Sequence, residues 1–193
     1  MEDWFQVENF KGYIPFSTWH SFDLRVEKNT LKILDLLDAF PFKPKATFFI
    51  LGWIAEKMPE LVRQIHARGH EVASHGFNHH LPTSLSPSAL AADLASSKET
   101  LEAIINDTVY GYRAPSFAID DTVLTAVRKA GYRYDSSYNS FSGHGRYGTI
   151  DLSSAQKNQC CYRINNTFHE LPLSNLTIKD TVIPLGGGGY FRL

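Results

Sequence analysis

The run Ala46-Thr47-Phe48-Phe49-Ile50-Leu51 constrains the fold more than any other stretch of the chain. It is of strand length, nearly continuous in its apolar character, and closed by Gly52. A strand with one wet face alternates polar and apolar residues. A continuous run needs cover on both faces, as in parallel sheets with helical crossovers. The flanking pattern supplies that cover. Upstream, Arg25 to Ala39 places Val26, Thr30, Ile33, Leu34 and Leu37 on one helical face, with Arg25, Lys28, Lys32 and Asp35 off it, and Pro41 and Pro44 end the helix. Downstream, Ile54 to Arg68 reads as a second helix with Ile54, Leu61, Val62 and Ile65 inward, stopped by Gly69.

The same alternation continues. Glu71 to Ser74 is a short strand, and Ser86-Pro87 opens a third helix through Leu90, Leu94, Leu101 and Ile104-Ile105 to about Asn106. Val109 to Arg113 is strand-like, Asp120-Asp121 caps a fourth helix ending at Gly131, and Tyr132 to Asp135 is a further strand. Ser136 to Asn166 is rich in Ser, Gly and Asn and reads as a long loop, followed by short strands at Phe168 to Leu173 and Thr181 to Leu185. Met1 to Thr18 is aromatic-rich, without a helical period. Strand and helix in alternation predict an α/β fold with a parallel sheet, and 193 residues suffice for one such domain. No Gly-x-Gly-x-x-Gly follows an early strand, so a dinucleotide fold has no support.

In parallel α/β barrels the working residues sit at the C-terminal ends of strands. His75, Arg113 and Asp135 each directly follow a predicted strand. His75 and His79 stand four apart around Gly76, which lets the backbone bend, and two imidazoles so placed can face one ion. Zinc accepts such nitrogens at about 2.0–2.1 Å and adds a carboxylate or water. The pattern alone also suits histidines decorating a polar loop; three polar strand ends forming one rim favour the metal. His80 reads as a solvated neighbour rather than a fourth ligand. A formal charge of −1 gives no reason to expect nucleic acid or an anionic membrane as partner, and no apolar run approaches 18 residues. Nor does a basic N-terminal region precede an apolar run. Cys160 and Cys161 are adjacent and cannot frame a disulfide network.

Ala46-Thr47-Phe48-Phe49, Gly69-His70-Glu71-Val72-Ala73-Ser74-His75-Gly76-Phe77-Asn78-His79 and Arg113-Ala114-Pro115 resemble, in order and over nearly the whole chain, the NodB-homology polysaccharide deacetylases of carbohydrate esterase family four. Glu2-Asp3-Trp4-Phe5-Gln6-Val7, Arg25-Val26-Glu27-Lys28-Asn29-Thr30, Tyr132-Arg133-Tyr134-Asp135-Ser136-Ser137 and Gly187-Gly188-Gly189-Tyr190-Phe191-Arg192 resemble, more narrowly, its bacterial exopolysaccharide-biosynthesis subgroup, often associated with exosortase systems. The resemblance implies a distorted (β/α) barrel over residues 1–193, and a hydrolase that removes acetyl groups from an N-acetylated oligo- or polysaccharide with a divalent metal, often zinc. It implies a bacterial protein and leaves the compartment, cytoplasm or cell envelope, open.

Residue by residue, the family's metal motif falls on His75 and His79. Its arginine motif falls on Arg113, which would orient the catalytic carboxylate, and the backbone N–H near Ser116 would hold the oxyanion. Asp135 falls in the fourth motif, or simply caps the Ser136-Ser137 turn. The first motif supplies a base and a metal-binding carboxylate, and in the subgroup reads Asp-Val-Glu-Asp. Met1 stands at its valine, leaving Asp3 as third metal ligand and Glu2 as part of the base site or as the ligand itself. Asp23 imitates that motif but follows no apolar strand, and ranks below Asp3. Tyr190 is a candidate sugar contact beside the Gly186 to Gly189 run, and Trp4, Phe5, Trp19, Trp53 and Phe191 belong either to sugar stacking or to the core.

Two departures follow. The leading aspartate is missing, and the family's final histidine motif is not reached before Leu193; neither His144 nor His169 has its context. The expectation is a fragment, incomplete at both ends, that binds metal and deacetylates poorly. A non-catalytic metal- or glycan-binding remnant and an amidohydrolase on a small cyclic amide are the alternatives.

Overall fold

The apolar run folds into strand β1 (Thr47–Ile50), and its neighbour β2 (Glu71–Ser74) pairs with it in parallel, Thr47 opposite Glu71 and Ile50 opposite Ser74. The structure, a computed structural model, describes residues 1–141, 147–179 and 181–184. Two compact units make up the chain: Met1–His80 with Ala92–Val109, and Leu81–Ala91 with the chain from Tyr110 onward.

In the first unit, three short 3₁₀ turns (Trp4–Gln6, Glu8–Phe10 and Phe16–Ser21) precede helix α1 (Val26–Ala39). The buried ridge of α1 is Val26, Thr30 and Leu34, narrower than the periodicity suggests, because Ile33 stands half-exposed. The helix expected over Ile54 to Arg68 is two, α2 (Gly52–Lys57) and α3 (Pro59–Ala67). A proline ring crowds the preceding residue out of the α region, and Met58 accordingly adopts φ −135° and ψ 57°. Pro59 then suits the first turn of α3, whose Leu61, Val62 and Ile65 are buried. Helix α4 (Pro87–Ile105) begins at Ser86, whose Oγ accepts from the Ala89 N–H at 3.3 Å, and from Ala92 on it belongs to this unit. Phe48, Ile50, Val72 and Ala73 are buried, whereas Thr47 is exposed and Phe49 only partly buried, so β1 has one fully covered face and one partly covered face, short of the cover on both faces that the apolar run predicts.

The second unit contains β3 (Gly111–Tyr112), helix α5 (Asp121–Lys129), β4 (Tyr134–Asp135), β5 (Gln156–Asn158), β6 (Cys161–Arg163), β7 (His169–Glu170), β8 (Asn175–Ile178) and β9 (Thr181–Pro184). Strands β3, β4 and β7 are parallel neighbours, and α5 is the crossover between the first two. Asp120 caps α5, its Oδ1 accepting from the Val123 N–H at 2.7 Å. Strands β5 and β6 form an antiparallel hairpin whose second strand pairs with β7, and β8 and β9 form another. The stretch Ser136 to Asn166, read from composition as one loop, therefore holds a hairpin. All three residues of β5 are exposed, so no apolar alternation marked it. Cys160 and Cys161 are free thiols. Among the described residues no helix is long and apolar enough to cross a membrane. The result is an α/β fold with mostly parallel strands and helical crossovers.

Candidate metal centre

Strand β2 delivers the histidines. The His75 N–H donates to the Ile50 carbonyl at 3.0 Å, carrying the β1–β2 pairing one residue past Ser74. Gly76, at φ 74°, then turns the chain in a region that disfavours any Cβ. His79 adopts φ 58°, uncommon for a residue with a side chain and more often found where a site fixes the backbone. The turn is clamped from several sides. Backbone N–H groups of Gly52 and Trp53 donate to the Gly76 and Phe77 carbonyls at 2.9 and 3.0 Å. Ser97 Oγ donates to the same Gly76 carbonyl at 3.0 Å and lies 2.8 Å from Ser74 Oγ. Asp93 Oδ2 accepts from the Phe77 N–H at 3.1 Å. Burial raises the Asp93 pKa, against the pull of the backbone N–H groups it accepts from. Ser97 and Asp93 lie on a helix nearly twenty residues on, and no local motif marked them.

Glu2 arrives along the other side of β1. The Met1 amino group donates to the Phe49 carbonyl, and the Leu51 N–H to the Met1 carbonyl at 3.4 Å. Met1 is thereby held beside β1, and Glu2 emerges at the strand's C-terminal end. Glu2 Oε2 lies 2.7 Å from His79 Nε2 and 3.2 Å from His75 Nε2. The two imidazole centroids are 5.3 Å apart. One ligand atom from each of the three residues falls within 4.8 Å of the others, and this is the one such cluster among the described residues. Donors about 2.0–2.1 Å from a tetrahedral zinc stand roughly 3.3 Å from each other, so the spacing fits a shared ion. Burial opposes a charge on Glu2, but hydrogen bonds from His75 and His79 outweigh it and hold the carboxyl far below its usual range. Burial pushes His75 down to about 4, against the pull of Glu2, which keeps its ring nitrogen unprotonated and available at neutral pH. An ionised carboxylate and a neutral imidazole are the forms that bind a metal.

Asp3, expected as the third ligand, is engaged elsewhere. Its Oδ1 accepts from the Trp4 N–H at 2.9 Å, and its Oδ2 from the Arg25 and Val26 N–H groups at 2.5 and 3.0 Å. Its own N–H donates to Gln6 Oε1 at 2.7 Å. It thus caps its own turn and places a negative charge on the N-terminus of α1, where the helix dipole favours one. The structure puts Glu2, rather than Asp3, beside the histidines.

In the second unit, Arg113 follows β3. Its Nε donates to the Ser136 carbonyl at 2.7 Å and its Nη2 to Ser136 Oγ at 2.6 Å. Burial lowers the Arg113 pKa, while Asp135, Tyr134 and Glu170 pull it back. Asp135, at the end of β4, is fully buried and makes the turn-capping contacts: Ser137 N–H at 2.8 Å and Ser137 Oγ at 2.7 Å. The second buried carboxyl there is Glu170, which accepts from the Tyr138 N–H at 3.0 Å. Burial first, and then the Asp135 charge, raises Glu170 well above the carboxylate range; Asp135 is raised by burial as well. Sequence reading passed over Glu170. The one signal was an acid within the strand-like run Phe168 to Leu173, between His169 and Leu171. Ser116 and Phe117 lie in a short 3₁₀ turn at φ 53° and 56°, two consecutive side-chain-bearing residues in the left-handed region. Tyr190, Gly186 to Gly189 and His144 lie outside the described residues.

The polysaccharide deacetylase family pattern matches residues 15–134. A peptidoglycan-N-acetylglucosamine deacetylase of Bacillus cereus is 33% identical over 104 residues, 54% of this chain and 47% of that protein, so the chain spans about half the relative's length. Among solved structures, a Mycobacterium smegmatis protein assigned as a polysaccharide deacetylase superposes with a TM-score of 0.56 at 23% identity, over 84% of this chain and 52% of the other. A family pseudoenzyme from Bacillus anthracis superposes with a TM-score of 0.52 at 24% identity, over 55% of this chain and 37% of its own. The two structures share the fold, and the pattern covers well over half of the residues: this chain belongs to the polysaccharide deacetylase family.

Proposed function

We propose that this chain is a metal-dependent deacetylase domain acting on an N-acetylated sugar polymer, with Glu2, His75 and His79 holding one divalent ion, zinc by donor type. The convergence of one carboxylate and two imidazole nitrogens on a clamped turn carries the reading. When bound, such an ion polarises the acetyl carbonyl and lowers the pKa of a water towards about 7. The chain's own part is to hold that geometry. The turn through Gly76 fixes both rings, and Glu2 offsets the positive charge. The backbone N–H at Ser116 is the candidate oxyanion donor. Arg113 and Asp135 take positioning roles through the Ser136-Ser137 turn. The N-terminal and Tyr132 to Ser137 stretches support placing the protein in exopolysaccharide biosynthesis.

One observation favours a second reading, a binder without turnover. Glu2, the carboxylate offered as base, is committed to the two histidines. Acetate release from N-acetylglucosamine oligomers, at matched zinc loading, separates the two. The deacetylase reading expects release that chelator abolishes and zinc restores. His75→Ala and His79→Ala should each lose zinc, whereas His66→Ala, whose ring sits 3.2 Å from Asp107 in an exposed pair, should keep it. Equal zinc in all three variants ends the metal assignment. Zinc bound without any acetate release leaves the binder.

A further inference from the structure

Metal-bound histidines are commonly oriented by a hydrogen bond at the ring nitrogen turned away from the ion. His79 has none among the described residues: Nε2 faces Glu2, and Nδ1 is buried without a partner. The His75 ring lies edge-on to it, with centroids 5.3 Å apart, but rides on the same turn. The direction of His79 therefore rests on its backbone, held at φ 58°, a conformation that persists only where the surroundings impose it. Two grips from α4 hold the residues before it. The Phe77 N–H donates to Asp93 Oδ2 at 3.1 Å, and the Asn78 N–H donates to the same carboxyl group. One helical turn on, Ser97 Oγ donates to the Gly76 carbonyl at 3.0 Å, and the Gly76 N–H donates to Ser74 Oγ at 3.2 Å. The Ser97 hydroxyl has one proton to give, so across the 2.8 Å between the two hydroxyls it is Ser74 that donates. Residues four apart share a helix face, and Asp93 and Ser97 meet the turn side by side.

We propose that Asp93 is the positioning residue of the metal centre: by holding the Phe77 and Asn78 N–H groups, its carboxylate sets the angle at which His79 Nε2 meets the ion. The inference rests on the reading of Glu2, His75 and His79 as ligands of one ion, and gives a task to a residue outside that set. Asp93 does through the backbone what a hydrogen bond at Nδ1 does for other metal-bound histidines. A carboxylate suits the task, because two N–H groups need acceptor oxygens and an ionised carboxyl has no donor to set against them. The two grips are not equivalent. Without Ser97, the Gly76 carbonyl still accepts from the Gly52 N–H at 2.9 Å. Without Asp93, no other described group accepts from the Phe77 N–H.

Zinc titration against a competing chelator and the visible spectrum of the cobalt(II)-substituted protein test the assignment, the spectrum reporting ligand geometry independently of affinity. Asp93→Asn keeps the size of the side chain but turns an amide donor on one of the two N–H groups. Zinc affinity should fall about 10- to 100-fold, and the cobalt bands should shift at full occupancy. Asp93→Glu moves the same two oxygens by one methylene, and should give a smaller loss with a shift of its own. Ser97→Ala should cost no more than about threefold and keep the wild-type spectrum. Asp120→Ala removes the cap of α5, in the second unit, and measures what general destabilisation does to the site; it should bind zinc as wild type. Wild-type affinity and spectrum in both Asp93 variants overturn the proposal. So does a loss of affinity that leaves the cobalt spectrum unchanged, or one that Asp120→Ala matches. A wild-type protein that binds neither zinc nor cobalt overturns the metal reading itself, and this assignment with it.

Discussion

Glu2 Oε2 lies 2.7 Å from His79 Nε2, while the adjacent Asp3 turns its carboxylate onto the first N–H groups of α1. Two neighbouring acids thus serve two unrelated ends. Backbone direction decides which is which. Met1 is pinned beside β1, so Glu2 leaves the strand at its C-terminal end and Asp3 begins the next turn.

The two acids should separate in substitution. Glu2→Gln removes the charge between the histidines and should lower zinc affinity by tenfold or more; because the histidine hydrogen bonds hold that carboxyl far below its usual range, it should also lower apo-protein stability at neutral pH. Asp3→Ala removes a cap and a charge at a helix N-terminus and should cost about 1–2 kcal/mol of stability. Zinc stoichiometry should stay near wild type in that variant. Calorimetric zinc titration and urea unfolding of both proteins decide the assignment. A zinc defect in Asp3→Ala with none in Glu2→Gln would reverse it.

The turn that carries the histidines depends on close backbone approach. A Cβ at Gly52 would stand 2.4 Å from the Phe77 ring, so the loop must shift to admit one. Gly52→Ala should therefore destabilise the protein by about 1–3 kcal/mol and weaken zinc binding through displacement of Gly76 and Phe77. Gly12→Ala meets nothing within 4 Å and should stay within about 0.5 kcal/mol of wild type. Thermal melts with and without zinc compare the pair. Equal melts for the two variants would remove the close-packing argument.

The elements most legible in the sequence were those whose burial is written into their pattern. The run ending at Leu51, the strand before His75 and the capped helix after Asp120 all appear within a few residues of their expected places. What escaped was structure held by distant partners. Strand β5 is polar and exposed, and it exists because β6 pairs with it. Asp3 looked like a ligand because its real partner, the start of α1, lies twenty-two residues on. The histidine pair was legible because the turn between its members is local. Ser97 and Asp93, which hold that turn, were not, because their contacts form only when α4 packs.

The buried pair Asp135 and Glu170 makes stability depend on pH. Burial raises both carboxyls, and the charge of Asp135 raises Glu170 further, with Arg113 and Tyr134 the other titratable groups acting nearby. The folded state therefore keeps a proton on the pair that the unfolded chain, with an ordinary glutamate near 4.5, releases. A group with a raised folded pKa contributes stability at low pH that is lost as the pH climbs, here from the ordinary carboxylate range upward past neutrality. The slope for one such proton is at most about 1.4 kcal/mol per pH unit. Glu170→Gln keeps an uncharged group of the same shape beside Asp135 and has no proton to lose. Its stability relative to wild type should rise from pH 5 to pH 9, whereas Glu170→Ala, which opens a cavity, should be destabilised throughout. Urea unfolding at pH 5, 7 and 9 measures both. Parallel pH profiles for wild type and Glu170→Gln would mean that Glu170 is ionised in the folded protein, with Arg113 as its counter-charge.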